Sequence, residues 1–164
     1  MCAGYRGPSG NFSVRLSVVV SVDIAAALEH ARSTPNGVLT TIRRDGRPQL
    51  SNISHSVGSD GLIRISITAD RAKFHNLTRD PRASLYVGQD DFQAYAVIDG
   101  DAFLPPPPAD PHDATVDELV RLYTAIRGAE HPDWEDYRRA MVADRRTVVR
   151  LTPTHAYGYI RSAG

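Results

Sequence analysis

Disulfides are the first thing this chain cannot have, because its only cysteine is Cys2. A single thiol makes neither an intrachain bridge nor a cysteine zinc site. That fits a reducing compartment, and the cytoplasm is the expected location. Excess charge is missing as well. Nineteen lysines and arginines balance nineteen aspartates and glutamates, so no overall field draws the protein to nucleic acid or to an anionic membrane. Any anion must be held by a local group of cations. No apolar run approaches the ~20 residues that a membrane-spanning helix needs. The most apolar stretch, Leu16 to Leu28, is interrupted by Asp23 and continues into Glu29-His30. It reads as the entry to a helix rather than as a secretion signal. The six histidines show no paired ligand spacing, and no Walker loop or Gly-x-Ser-x-Gly elbow occurs. No metal site is expected, and no catalytic residue can be named. An enzyme so poor in chemistry of its own would borrow its reactive group from a cofactor.

What is present suits one ordinary domain: 164 residues, 41% apolar and 23% charged. Residues 1–21 form an expected flexible N-terminal tail, and 22–164 the folded domain. Val22, Ala25, Ala26, Leu28 and Ala31 recur at helical spacing, which predicts a helix over 22–32, ended by Pro35-Asn36-Gly37. The period then changes. Val38–Ile42 and Gln49–Ile53 flank Asp45-Gly46, a hairpin signal for a type I′ turn. A second turn at Ser59-Asp60-Gly61 leads into a strand where Ile63, Ile65 and Ile67 alternate with Arg64, Ser66 and Thr68. Asp70 is placed to cap a short helix that closes at Asp80-Pro81. Strands follow at 83–87 and 95–103, then four prolines at 105–108. Two helices come next, the second opening at Pro132, and 147–151 and 156–159 complete the chain. Short antiparallel strands with helices at the edges predict a small barrel of α+β type, mainly β.

Two segments carry candidate chemistry. Arg71 and Lys73 fall in the first turn of the short helix, where the helix dipole disfavours cations by a few tenths of a kcal/mol each. An anion reverses that sign, because two cations, free amides and the hydroxyls of Ser66 and Thr68 then converge on it. The competing reading is two solvated surface cations. The second segment is Gln49-Leu50-Ser51-Asn52, whose amides and hydroxyls suit the edge of a planar heterocycle, or simply a strand with one wet face. His55 and His75 read as satisfied or exposed histidines.

The run from Gly37 to Asn52 resembles the opening hairpin of the pyridoxamine 5′-phosphate oxidase-like superfamily, and Arg71 to Ala83 resembles its cofactor-phosphate element. Tyr95–Gly100, Trp134–Arg138 and Asp144–Arg146 are similar to the branch that uses coenzyme F-420, a deazaflavin. The similarity spans about residues 22–160 with the order preserved. The resemblance implies an antiparallel, Greek-key split β-barrel with a few peripheral helices. It also implies a homodimer with two sites at the interface. Cofactor phosphate would be held by Arg71 and Lys73, and ring contacts would come from Gln49, Leu50, Ser51, Asn52 and Ser66, with Asn76 lending an amide. Residues of the partner within Phe92–Tyr95 would complete the pocket, and Arg79 with Arg82 would line an exit for the anionic tail. The implied activity is hydride transfer from reduced F-420 to a small organic acceptor; no general acid is named, and Tyr95 reads as a structural barrel tyrosine rather than as a proton donor. FMN is the alternative cofactor, in an oxidase acting on vitamin B6 phosphates, and a non-enzymatic cofactor carrier is the alternative role. A barrel with open strands would also leave apolar edges such as Val97 and Ile98 to be covered by the second subunit.

Overall fold

The computed structural model describes residues 20–89 and 93–160. Strand β1, Val20–Ser21, pairs with Gly158 and Tyr157. The last two residues assigned to the tail therefore belong to the sheet, and the rest of that tail lies outside the described residues. Helix α1, Ile24–Arg32, begins where the Asp23 carboxylate accepts the N–H groups of Ala25 and Ala26, two of the donors a helix start leaves unpaired. Its Ala27, Leu28 and Ala31 stripe is buried in the barrel core.

Strands β2, Asn36–Ile42, and β3, Pro48–Val57, form the expected hairpin with a different turn. The Gly46 N–H donates to the Arg43 carbonyl and the Arg43 N–H to the Arg47 carbonyl, while only Gly46 has positive φ, at 81°. This is a type I turn closed by a left-handed glycine, a longer loop than the type I′ turn expected. The turn into β4, Ile63–Thr68, repeats the device with Gly61 at φ 76°. In both turns the aspartate accepts an N–H two residues on, from Arg47 and Leu62, so Asp acts as a side-chain turn former rather than as a positive-φ residue.

Helix α2 covers Ala72–Arg79, β5 Arg82–Gly88, β6 Tyr95–Phe103, α3 Ala114–Arg127, α4 Trp134–Ala143 and β7 Arg146–Tyr159. Asp70 does not cap α2. Arg71 is the N-cap, with no side-chain bond, and the Asp70 carboxylate accepts the Thr68 hydroxyl instead. Pro132 likewise stays outside α4, which Asp133 caps through the Asp136 N–H. The last strand expected at 147–151 is the first part of a longer strand, β7, which runs on through 156–159.

Strands β2, β3 and β4 meander, β5 returns to lie beside β2, and β6 follows it, the order of a Greek key. β7 then pairs with both β6 and β4 and closes an antiparallel barrel. With its helices outside, the fold is α+β, mainly β, as expected. Closure removes the open edge once expected at Val97 and Ile98: β6 has a neighbour on each side, and Ile98 is fully buried. Leu39, Ile63, Ile65, Leu85, Val87, Val149 and Leu151 fill the interior. β7 also carries a second core on its outer face, where Val148 meets Val116, Leu119 and Leu122 of α3 and Met141 of α4. Among the described residues no helix is long and apolar enough to cross a membrane.

Candidate functional site

Strand alternation decides which polar residues can meet. On β4 the isoleucines are buried, and Arg64, Ser66 and Thr68 take the outer face. On β3 the outward set is Leu50, Asn52 and Ser54, whereas Gln49 and Ser51 share the other side with His55. A cavity of about 400 Å3 lies on the outer face, against the start of α2. Asn52, Ser66, Thr68, Arg71 and Lys73 line it, together with Ser54, Ile126 of α3 and Arg146.

The charges in this cavity are poorly matched. Lys73 has no carboxylate within ion-pair distance among the described residues, and burial, then the like charge of Arg71, lowers its pKa. Arg71 is 3.8 Å from Asp70, and both are exposed. Arg146 stands opposite Thr68 in the β4–β7 register and donates to the Ser66 hydroxyl at 3.3 Å. Its Nε is buried without a hydrogen bond, 3.9 Å from the nearest Asp144 oxygen. Arg145 positions it. That residue takes left-handed backbone, φ 49°, and its carbonyl accepts the Ala69 N–H, tying the end of α4 to the end of β4. Two guanidiniums, an ammonium, the Ser66 hydroxyl and an uncapped helix start are the donor set that an anionic group such as phosphate completes, while the Thr68 hydroxyl is held by Asp70. The unsatisfied Arg146 Nε is the sharpest sign of that fit, since a buried unpaired donor on a charged group is costly.

The remaining candidates lie elsewhere. Leu50 is on the same outer face and 62% exposed. Asn76 is buried, and its amide donates to Thr41 Oγ1 and to Gln49 Oε1, both at 3.1 Å, while the Gln49 amide donates to Ser51. This network ties α2 to the β2–β3 hairpin, and Gln49, Ser51 and Asn76 do not line the anion cavity. Gln49, Asn76 and Arg79 border a second cavity of about 420 Å3 with Arg43 and Arg44, and Arg79 donates to the Ile42 carbonyl. Arg82 is held by Asp80 at 2.8 Å, and this charge-assisted bond keeps the Asp80 carboxyl low, at about 2. Tyr95 stacks on Tyr86 with ring centroids 5.8 Å apart. Phe92 lies outside the described residues.

Sequence reasoning missed Ser54 and Arg146. Extending the outward alternation Leu50-Asn52 by one step would have found Ser54. Arg146 reaches the site only through strand register, which local sequence does not encode. A third cavity, about 650 Å3, adjoins the first through Asn52, Ile53 and Ser54 and continues to Asn36, Val38, Tyr86 and Gly88.

Comparison with known proteins agrees with this fold. A family model described as pyridoxamine 5′-phosphate oxidase matches residues 24–159. Among solved structures, a conserved hypothetical protein of Mycobacterium tuberculosis is similar at 22% identity and TM-score 0.67, over 89% of this chain and 94% of that one. A protein described as an F420 reductase is similar at 25% identity and TM-score 0.57, over 78% of this chain and 94% of that one. A pyridoxamine 5′-phosphate oxidase-related, FMN-binding protein of Nostoc punctiforme is similar at 16% identity and TM-score 0.56, over 85% and 84%.

Proposed function

This chain belongs to the pyridoxamine 5′-phosphate oxidase family, and from that membership we propose that it is an oxidoreductase holding coenzyme F-420. The observation that carries the reading is the cavity where Arg71, Lys73 and Arg146 converge with Ser66 and Thr68, with no carboxylate among the described residues nearer to these cations than 3.8 Å. These residues hold the cofactor phosphate. Ser66 keeps the Arg146 guanidinium turned toward it. Asn52 and Ser54 face outward between this cavity and the larger one, where they hydrogen-bond the edge of a planar heterocycle. When bound, the reduced deazaflavin supplies a hydride to a small organic acceptor; the protein supplies orientation and electrostatics. The likeness to the F420 reductase, over most of both chains, supports this cofactor.

The phosphate cavity serves FMN equally well, and the matched family model and the Nostoc protein support an FMN-dependent oxidase as the second reading. We infer further that the protein works in the cytoplasm as a homodimer, whose second subunit covers the outer face around the exposed Leu50 and completes the site. Light scattering should give twice the 18.0 kDa chain mass; a monomer with full cofactor affinity would exclude the two-chain site. The cofactor is decided by titrating the protein with F-420 and with FMN and following fluorescence quenching. Saturable F-420 binding is expected. Tight FMN binding without F-420 binding reverses the choice.

A further inference from the structure

A second basic cavity stands apart from the one proposed for the cofactor. Its volume is about 420 Å3, and it shares no lining residue with the anion cavity. One wall is a single face of α2, where Ala72, Asn76 and Arg79 follow at i, i+4 and i+7. Arg71 and Lys73 of the same chain segment line the other cavity instead. The opposite wall is the β2–β3 turn, with Arg43, Arg44 and Asp45.

Three guanidiniums meet one carboxylate here, and that carboxylate is already in use. Asp45 accepts the Arg47 N–H at 3.2 Å to build the turn, and it lies 3.5 Å from Arg43. Arg79 donates to the Ile42 carbonyl, which tethers α2 to the end of β2. Arg44 has neither a hydrogen bond nor an ion pair among the described residues. Like charges gathered in one cavity repel, and no contact within the fold requires Arg44 to stand there. Beside the arginines, Gln49 and Asn76 form a neutral polar wall, fixed by the 3.1 Å bond from the Asn76 amide to Gln49 Oε1.

We propose that this cavity is a second anion site, separate from the cofactor cavity, and that it takes the phosphate group of a small phosphate monoester. Three cations against one anion leave two positive charges in the lining. A phosphate monoester carries a charge of about −1.5 to −2 at neutral pH and offers three strong acceptor oxygens. Planar guanidinium forks match those oxygens in pairs. A single carboxylate would leave one positive charge unmatched. The volume lies within the ~300–1,000 Å3 range of small-molecule sites, so a small organic group fits beside the phosphate. Arg79 grips the anion from α2, and Arg43 and Arg44 grip it from the hairpin. The bound anion thus joins the same two elements as the Asn76–Gln49 bond.

The probe is inorganic phosphate, titrated calorimetrically in low-chloride buffer. The full chain carries Arg71→Ala and Lys73→Ala, so that the cofactor cavity is disabled. One phosphate per chain should still bind. Adding Arg44→Ala should weaken that binding about 10-fold or more, the loss of one charge-assisted contact. Arg44 has no protein partner to lose, so this variant keeps its fold. Arg44→Lys should recover only part of the affinity, because an ammonium is a point charge and not a fork. Sulfate, a dianion of the same shape, should compete, and acetate at the same concentration should not. Loss of all phosphate binding in the Arg71→Ala, Lys73→Ala chain overturns the proposal, because phosphate then goes to the cofactor cavity alone. Unchanged affinity on adding Arg44→Ala overturns it too, and equal competition by acetate assigns the cavity to carboxylates. Displacement of the phosphate by F-420 in that background gives the cavity to the cofactor and overturns a separate site. The cofactor reading survives each of these failures.

Discussion

Strands β4 and β7 run side by side from Ile63–Leu151 to Thr68–Arg146, and arginines stand at both ends with opposite outcomes. At one end Arg64 lies across from Arg150, with Glu118 of α3 between them at 2.9 and 2.6 Å. Asp60 closes the other side of Arg64 at 2.6 Å. Burial alone would raise the Glu118 pKa, but hydrogen bonds from Arg150 and Arg64 outweigh it and hold the carboxyl below its usual value. At the other end Arg146, Arg71 and Lys73 share a cavity whose nearest carboxylates stand at 3.8 and 3.9 Å. The closed set spends its charges on joining a helix to the barrel. The open set leaves its charges for a ligand.

Breaking the closed end should have the largest effect on stability. Glu118→Gln keeps the shape and leaves two facing guanidiniums without their shared anion. Removing one partner of a buried pair costs about 3–5 kcal/mol, and partial exposure of Arg150 reduces this to about 2–3. The urea midpoint should fall accordingly, with cofactor affinity changed far less. The open end should answer in the opposite sense. Arg71→Ala and Lys73→Ala should each weaken cofactor binding by ~1.5–3 kcal/mol, the range for charge-assisted bonds. The thermal midpoint of the cofactor-free protein should hardly move, because these cations lack strong protein partners. Calorimetric titration and melting of the same variants check both halves. A large fall in the melting point would make the open end structural.

The smallest effect separates the two ends by pH. His55 is buried, its Nε2 bonded to the Ala31 carbonyl and its Nδ1 without a partner. Burial lowers its pKa, against a smaller raising effect of that carbonyl. The unfolded chain therefore takes up a proton before the folded one does, and stability is lost as pH falls below about 6.5 toward the lower folded value. Arginine charge does not change in this window. Urea midpoints measured from neutral to mildly acid pH should fall, and His55→Gln should flatten part of that slope.

The barrel was legible where a residue's role is local. The isoleucine alternation of β4 and both Asp-Gly turns appear where their spacing places them, whereas the stripe of α1 is shifted: Ala25 and Ala26 are exposed, and Ala27, Leu28, His30 and Ala31 are buried. The turn type was misread because Asp45 acts through its carboxylate, not its backbone. The site was half legible. Ser66, Thr68, Arg71 and Lys73 are neighbours in sequence and remain neighbours in space. Gln49 and Ser51 of β3 bind Asn76 of α2 and one another, a pairing set by how the helix docks on the hairpin and not visible in either segment alone. Arg146 stayed hidden for the reason that Glu118 did: each is defined by a partner some 30–80 residues away.

The long strand β7 gives this fold a timetable. Its residues pair with β6, with β4 and with β1, the first strand described. Until Arg146–Tyr159 arrive, β4 lacks one neighbour, β6 lacks another and Arg146 is absent from the anion cavity. A ribosome delivering the chain from its N-terminus therefore releases β1 to β6 before the barrel can close. Contacts that span most of the chain make such folding slow, and the waiting strands β4 and β6 are the surfaces a chaperone would shield.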